Sequence, residues 1–121
     1  MENTAMTLSA KLMSNMIVLK GMDALRSAVI AARTKNEELG ISKAMMISNL
    51  KNQMRNGVAH FVFVKKNGEL REAFGTIQSN IASAKTNGRG ESRENFSTTA
   101  FFDCCKGEWR SFRWETLIAV L

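Results

Sequence analysis

Residues 56–77 read NGVAHFVFVKKNGELREAFGTI, and the change of period inside this stretch decides the fold. Upstream of Gly57 apolar residues recur at helical spacing. From Val58 to Val64 they are dense in β-branched and aromatic types, which suit a pleated strand. Lys66-Asn67-Gly68 then punctuates the run before Leu70 to Ile77, the sequence pattern of a β-hairpin. Two loops fit it: a two-residue type I′ turn at Asn67-Gly68, or a three-residue loop with Gly68 as the left-handed residue of a bulge. The choice moves the register by one and decides which side chains share a face with Phe61 and Phe63. The bulged loop is preferred because it puts Ala73, Gly75 and Ile77 behind those rings.

Working towards the N-terminus, Thr7 to Arg55 contains no proline and is rich in Met, Leu, Ala, Lys and Glu, all good helix formers. Gly21 and Gly40 are read as punctuation, giving helices at about Thr7 to Lys20, Met22 to Leu39 and Ser42 to Arg55. In the second, Met22, Leu25, Val29 and Ala32 form one apolar face. Ser42 is placed as the cap of the third helix, in which Met46, Leu50 and Met54 make a stripe read as core or partner-packing surface. Asn56-Gly57 ends it, with Gly57 expected as a left-handed cap.

Working towards the C-terminus, about 78–95 is poor in large apolar residues and holds Thr86-Asn87-Gly88-Arg89-Gly90, a loop composition. Strand character returns at Phe96 to Cys104, turns at Lys106-Gly107, continues through Glu108 to Trp114 and ends in Leu117 to Leu121. Five short strands suggest a closed or nearly closed barrel, which removes exposed edges. The chain is therefore expected to be α+β, with a helical region at 1–56 and a small β-barrel at 57–121.

Composition narrows the function classes. With 45% hydrophobic and 23% charged residues the chain can bury a core. Its 17 Lys+Arg against 11 Asp+Glu leave a net charge of +6, a field that favours encounters with nucleic acid or other anionic partners. Cys104 and Cys105 are adjacent and cannot readily bond to each other, so they are read as small buried hydrophobes near a turn, in a reducing compartment. One histidine, His60, and no second cysteine pair give no zinc spacing. The apolar run Leu12 to Leu19 is broken by Ser14 and Asn15 and falls short of the roughly 20 residues of a membrane span. No leader with a small-residue cleavage pattern stands out. A soluble cytoplasmic protein is expected, without a membrane, metal or cofactor.

Candidate chemistry is sparse. His60 beside Asp103 or Glu115 would suggest a general base, but a lone histidine in an apolar strand is read as packed or hydrogen-bonded. Gly88 and Gly90 lack the preceding strand and following Lys-Ser/Thr of a phosphate loop. With no nucleophile, base and orienting group in view, no catalytic residues are assigned. Binding is better represented. Arg110 and Arg113 interleave with Trp109, Phe112 and Trp114, the mixture that nucleic-acid surfaces use for stacking and phosphate contact. Trp109 and Phe112 are read as core and Trp114 as the exposed aromatic. Strand alternation puts Arg110 with Phe112 and Trp114, and Arg113 with Trp109 and Ser111. Lys65, Lys66, Arg71, Lys85, Arg89 and Arg93 gather around the first turn and the long loop, where they can track phosphates.

The segment FFDCCKGEWRSFRWETLIAV, residues 101–120, resembles the end of WYL-type domains and, more closely, the small WYL-like, Sm-like SH3 β-barrel family of bacterial and phage proteins. Gly107, Trp109, Arg110, Phe112, Arg113, Leu117 and Ile118 carry the resemblance, and residues 56–77 look like that family's first hairpin, so it spans roughly the last two-thirds of the chain. It implies N-terminal helices followed by a five-stranded SH3/Sm-like barrel, with Arg110 and Arg113 as contact candidates for nucleic acid or a nucleotide-like ligand. Where WYL domains carry their Trp-Tyr-Leu tripeptide this chain has Ser97, Thr98 and Thr99, so the resemblance implies the fold rather than the parent's ligand sensing. Two functional expectations follow. One is a nucleic-acid or ribonucleoprotein-binding adaptor whose helices orient it or form a homodimer. The other is a phage-type protein inhibitor or regulator that docks on a host nucleic-acid-processing complex.

Overall fold

A computed structural model of the chain describes residues 21–78, 94 and 96–121. The expected helix at Thr7 to Lys20 and most of the loop at 78–95 lie outside the described residues. The chain divides into two compact units, Met1–Met45 and Met46–Leu121.

In the first unit, helix α1 (Met22–Thr34) is followed by the start of helix α2 (Glu37–Arg55). The break falls at Lys35 and Asn36, not at Gly40. Lys35 adopts a left-handed conformation at φ 57°, and its N–H donates to the Ala31 carbonyl, closing α1. Asn36 then caps α2, its Oδ1 accepting from the Leu39 N–H at 2.9 Å. Gly40 lies inside α2 because the helices approach closely there: a Cβ at this position would stand 2.6 Å from the Ser27 carbonyl oxygen and 2.9 Å from the Ala31 Cβ. The same approach corrects the apolar face of α1. Ser27 and Ile30 are buried, together with Arg26, which pairs with Asp23 at 3.1 Å, whereas Met22 and Leu25 are exposed. Ser42, expected as a cap, is an exposed residue within the helix.

The second unit opens with the rest of α2, where Ile47, Leu50 and Met54 are fully buried. Gly57 is not left-handed. The helix end is satisfied instead by Thr76, whose hydroxyl lies 3.0 Å from the Met54 carbonyl oxygen and 2.7 Å from that of Gly57, and by the Ile77 N–H donating to Met54. Five antiparallel strands follow: β1 (Ala59–Val64), β2 (Leu70–Thr76), β3 (Thr98–Asp103), β4 (Glu108–Arg113) and β5 (Leu117–Val120). Their order is β4-β3-β2-β1-β5. The first hairpin uses the bulged three-residue loop: the Lys65 N–H donates to the Glu69 carbonyl at 2.8 Å, the Gly68 N–H donates to the Lys65 carbonyl, and Gly68 sits at φ 88°. Phe61 therefore faces Ala73, and Ala59 faces Gly75.

Phe61, Phe63, Phe101 and Phe112 form an aromatic core. Phe61 meets Phe101 edge-on at 4.9 Å between centroids, and Phe63 and Phe112 are 5.6 Å apart. Leu117 and Trp114 are fully buried. Trp114 is not the exposed aromatic expected. The strand ends at Arg113, and Trp114 opens a 3₁₀ turn (Trp114–Thr116) while its N–H donates to the Ser97 carbonyl at 3.2 Å. It keeps the inward parity of Phe112. Trp109, expected in the core, lies half-buried on the opposite face of β4, edge-on to Phe102 at 6.0 Å.

Candidate functional site

A cleft of about 430 Å³ opens where the end of β1 and the first turn meet the end of β4 and the 3₁₀ turn. Its base is apolar, formed by Phe63 and Phe112, and Thr98, Ser111 and Thr116 supply hydroxyls. Its cations are Lys65, Lys66 and Arg113. The arrangement follows from local rules. The bulged loop carries two lysines at the tip of the hairpin, and alternation along β4 sends Phe112 inward and Arg113 outward.

The cations are differently held. Lys65 makes an exposed pair with Glu69 at 3.4 Å, which costs little to exchange for another anion. Lys66 is exposed at the tip. Arg113, with 53% of its side chain exposed, is anchored through Nε to Glu115 Oε2 at 2.9 Å, and Glu115 is itself 18% exposed. With 53% of its side chain in solvent, the guanidinium can present its terminal amino groups to a bidentate acceptor.

The other residues singled out from the sequence do not gather here. Arg110 lies towards the opposite end of β4, its Nη2 bonded to Glu108 at 2.8 Å and its Nε in an ion pair with the buried Asp103 at 3.2 Å, at an angle unsuited to a hydrogen bond. Trp114 is core. Arg71 is half-buried near the first turn, on the same side of β2 as Ala73, and does not line the cleft. Lys85, Arg89 and Arg93 lie outside the described residues. In sequence Glu115 stands out only as a partner for His60. The signal for its role is its spacing two residues beyond Arg113.

His60 bonds to Glu72 and stacks on Phe74 at 4.2 Å, with neither Asp103 nor Glu115 as partner. Cys104 and Cys105 are exposed, not buried. Asp103 is the cause: its Oδ1 accepts from the N–H groups of Cys105 and Lys106 at 3.0 and 3.1 Å, making a tight turn that projects both side chains outward. Partial burial raises the Cys104 thiol above its ordinary range, with smaller contributions from the Asp103 carboxylate and Cys105. Among the described residues no group of three or more His, Cys, Asp or Glu side chains is placed to hold a metal ion, and no helix is long and apolar enough to cross a membrane.

No curated protein and no solved structure matches the chain. One family model does, over residues 47–118, beginning one residue into the second compact unit and ending within β5. With more than half of the sequence matched and five antiparallel strands following the helices, the chain belongs to the family described as WYL_2, Sm-like SH3 beta-barrel fold.

Proposed function

We propose that the chain is a non-enzymatic binding protein that contacts nucleic acid, free or within a ribonucleoprotein, through the basic mouth of this cleft. The observation that carries the reading is the convergence of Lys65, Lys66 and Arg113 on one opening, with Arg113 held in an ion pair by Glu115 and still half in solvent. A phosphodiester offers the paired oxygens that a guanidinium fork accepts, while lysines act as point charges beside it. The Ser111 hydroxyl adds a polar group to the lining, while the Thr116 hydroxyl is committed to the Arg113 carbonyl at 2.7 Å. Phosphate contacts of this kind release counterions, so affinity falls steeply with salt.

The test is a titration of labelled single- and double-stranded DNA and RNA at two salt concentrations, with wild-type chain and Arg113→Ala. Salt-sensitive binding weakened by the substitution supports the reading. Absence of binding even at low salt overturns it.

A second reading, a protein inhibitor or regulator docking on a nucleic-acid-processing complex, is favoured by exposed apolar side chains on the second unit, Leu70 and Phe96 above all. Pull-down with and without nuclease separates the two: a partner retained after nuclease treatment favours protein docking.

A further inference from the structure

The β3–β4 turn carries chemistry that the cleft does not use. Cys104 and Cys105 are adjacent, both exposed and neither in a disulfide, the Cys104 thiol making only a long contact of 3.9 Å to the Phe102 carbonyl. Their backbone is held from several directions. The Cys104 N–H donates to the Phe74 carbonyl at 2.8 Å, the Cys105 N–H to Asp103 Oδ1 at 3.0 Å, and the Gly107 N–H closes the turn onto the Asp103 carbonyl at 2.7 Å. Asp103 is itself buried and tied to Arg110. The thiols therefore project from a pre-set frame, which lowers the ordering cost of binding both at once.

That frame disfavours a direct bond between the sulfurs. Neighbouring α-carbons across a trans peptide are about 3.8 Å apart, below the roughly 4.4 Å at which ordinary disulfide geometry begins. A bridging atom that takes one bond from each sulfur relieves this restriction, because the ring it closes is one atom larger.

We propose that Cys104 and Cys105 form a capture site for trivalent arsenicals, as a vicinal dithiol that bonds arsenic through both sulfurs. With an aryl arsenous acid, each S–H and each As–OH bond breaks and each S–As bond forms. Each thiol proton leaves with a hydroxyl group as water. Arsenic stays trivalent, so no oxidant or reductant is consumed. The raised Cys104 thiol is not an obstacle, since its proton is the one the departing hydroxyl requires. The site is separate from the cleft and does not depend on the function proposed for it.

The experiment uses the full chain, reduced and then freed of reductant, with phenylarsine oxide as the probe and native mass spectrometry as the readout. The expected result is one arsenical per chain, retained against excess 2-mercaptoethanol and removed by 2,3-dimercaptopropanol. Cys104→Ser and Cys105→Ser, checked for unchanged melting, should each retain the probe at least about 100-fold less well against the monothiol, the order of advantage a second linked contact gives. The proposal is overturned if the monothiol strips the wild-type chain as readily as the variants, or if the arsenical joins two chains instead of closing within one. If the variants do not fold, the wild-type chain decides by itself: retention against excess monothiol supports the proposal, and complete release to the monothiol overturns it.

Discussion

Arg110 and Arg113 sit three residues apart on one strand and live in different electrostatic circumstances. Arg110 is enclosed by carboxylates, with Glu108 at 2.8 Å and Asp103 at 3.2 Å. Arg113 has one carboxylate partner, Glu115, and half of its side chain in solvent. A strand sends odd and even residues to opposite faces, so identical side chains can be assigned to holding a turn and to meeting a ligand. Residue type alone says little about a site; the charges already bound to it decide what it can still do.

The largest effect should come from the residue between them. Phe112→Ala, which empties a place among Phe61, Phe63 and Phe101, is expected to cost about 3 to 5 kcal/mol in urea or thermal unfolding. A neutral result would reverse the faces of β4 and make Arg110 the better contact. Arg113→Ala should weaken binding to labelled nucleic acid by about tenfold, roughly 1.4 kcal/mol, and reduce the slope of log affinity against log salt by about 1. Its melting temperature should hardly change. Arg110→Ala should show the converse, a loss of about 1 kcal/mol of stability from the partly exposed pair with Asp103 and no change in nucleic-acid affinity. Equal loss of binding in the two arginine variants would abolish the distinction. The smallest effect is expected for Glu115→Gln, about 0.5 kcal/mol in binding, because the substitution removes only the charge of a partly exposed ion pair while keeping the side chain's size.

Much of the second unit was legible because strand alternation and turn chemistry are local. Phe61, Phe63 and Phe112 point inward as their parity requires, and the bulged loop follows from Gly68. The first unit was less legible. Gly40 looks like a helix stop in sequence, yet its lack of a side chain serves a helix crossing that only the partner helix reveals. The Lys35 break carries no proline or glycine to announce it. Of the cleft, Arg113 and the two lysines could be proposed from composition and spacing. That they share one mouth, and that Arg110 is occupied elsewhere, depends on strand order and on the buried Asp103.

The Thr76 clamp bears on the order in which the barrel assembles. It joins the end of α2 to β2 across only 22 residues, and the hairpin between them closes through a three-residue loop. Short separations lose little chain entropy on closing. By contrast β5 must find β1 from the far end of the second unit, bringing Leu117 to Phe63. The helix end and first hairpin are thus the natural nucleus, and β5 is the last strand to dock. Until it does, the β1 edge carrying Phe61 and Phe63 stands unpaired, so conditions that slow this step leave an apolar strand edge open to intermolecular pairing.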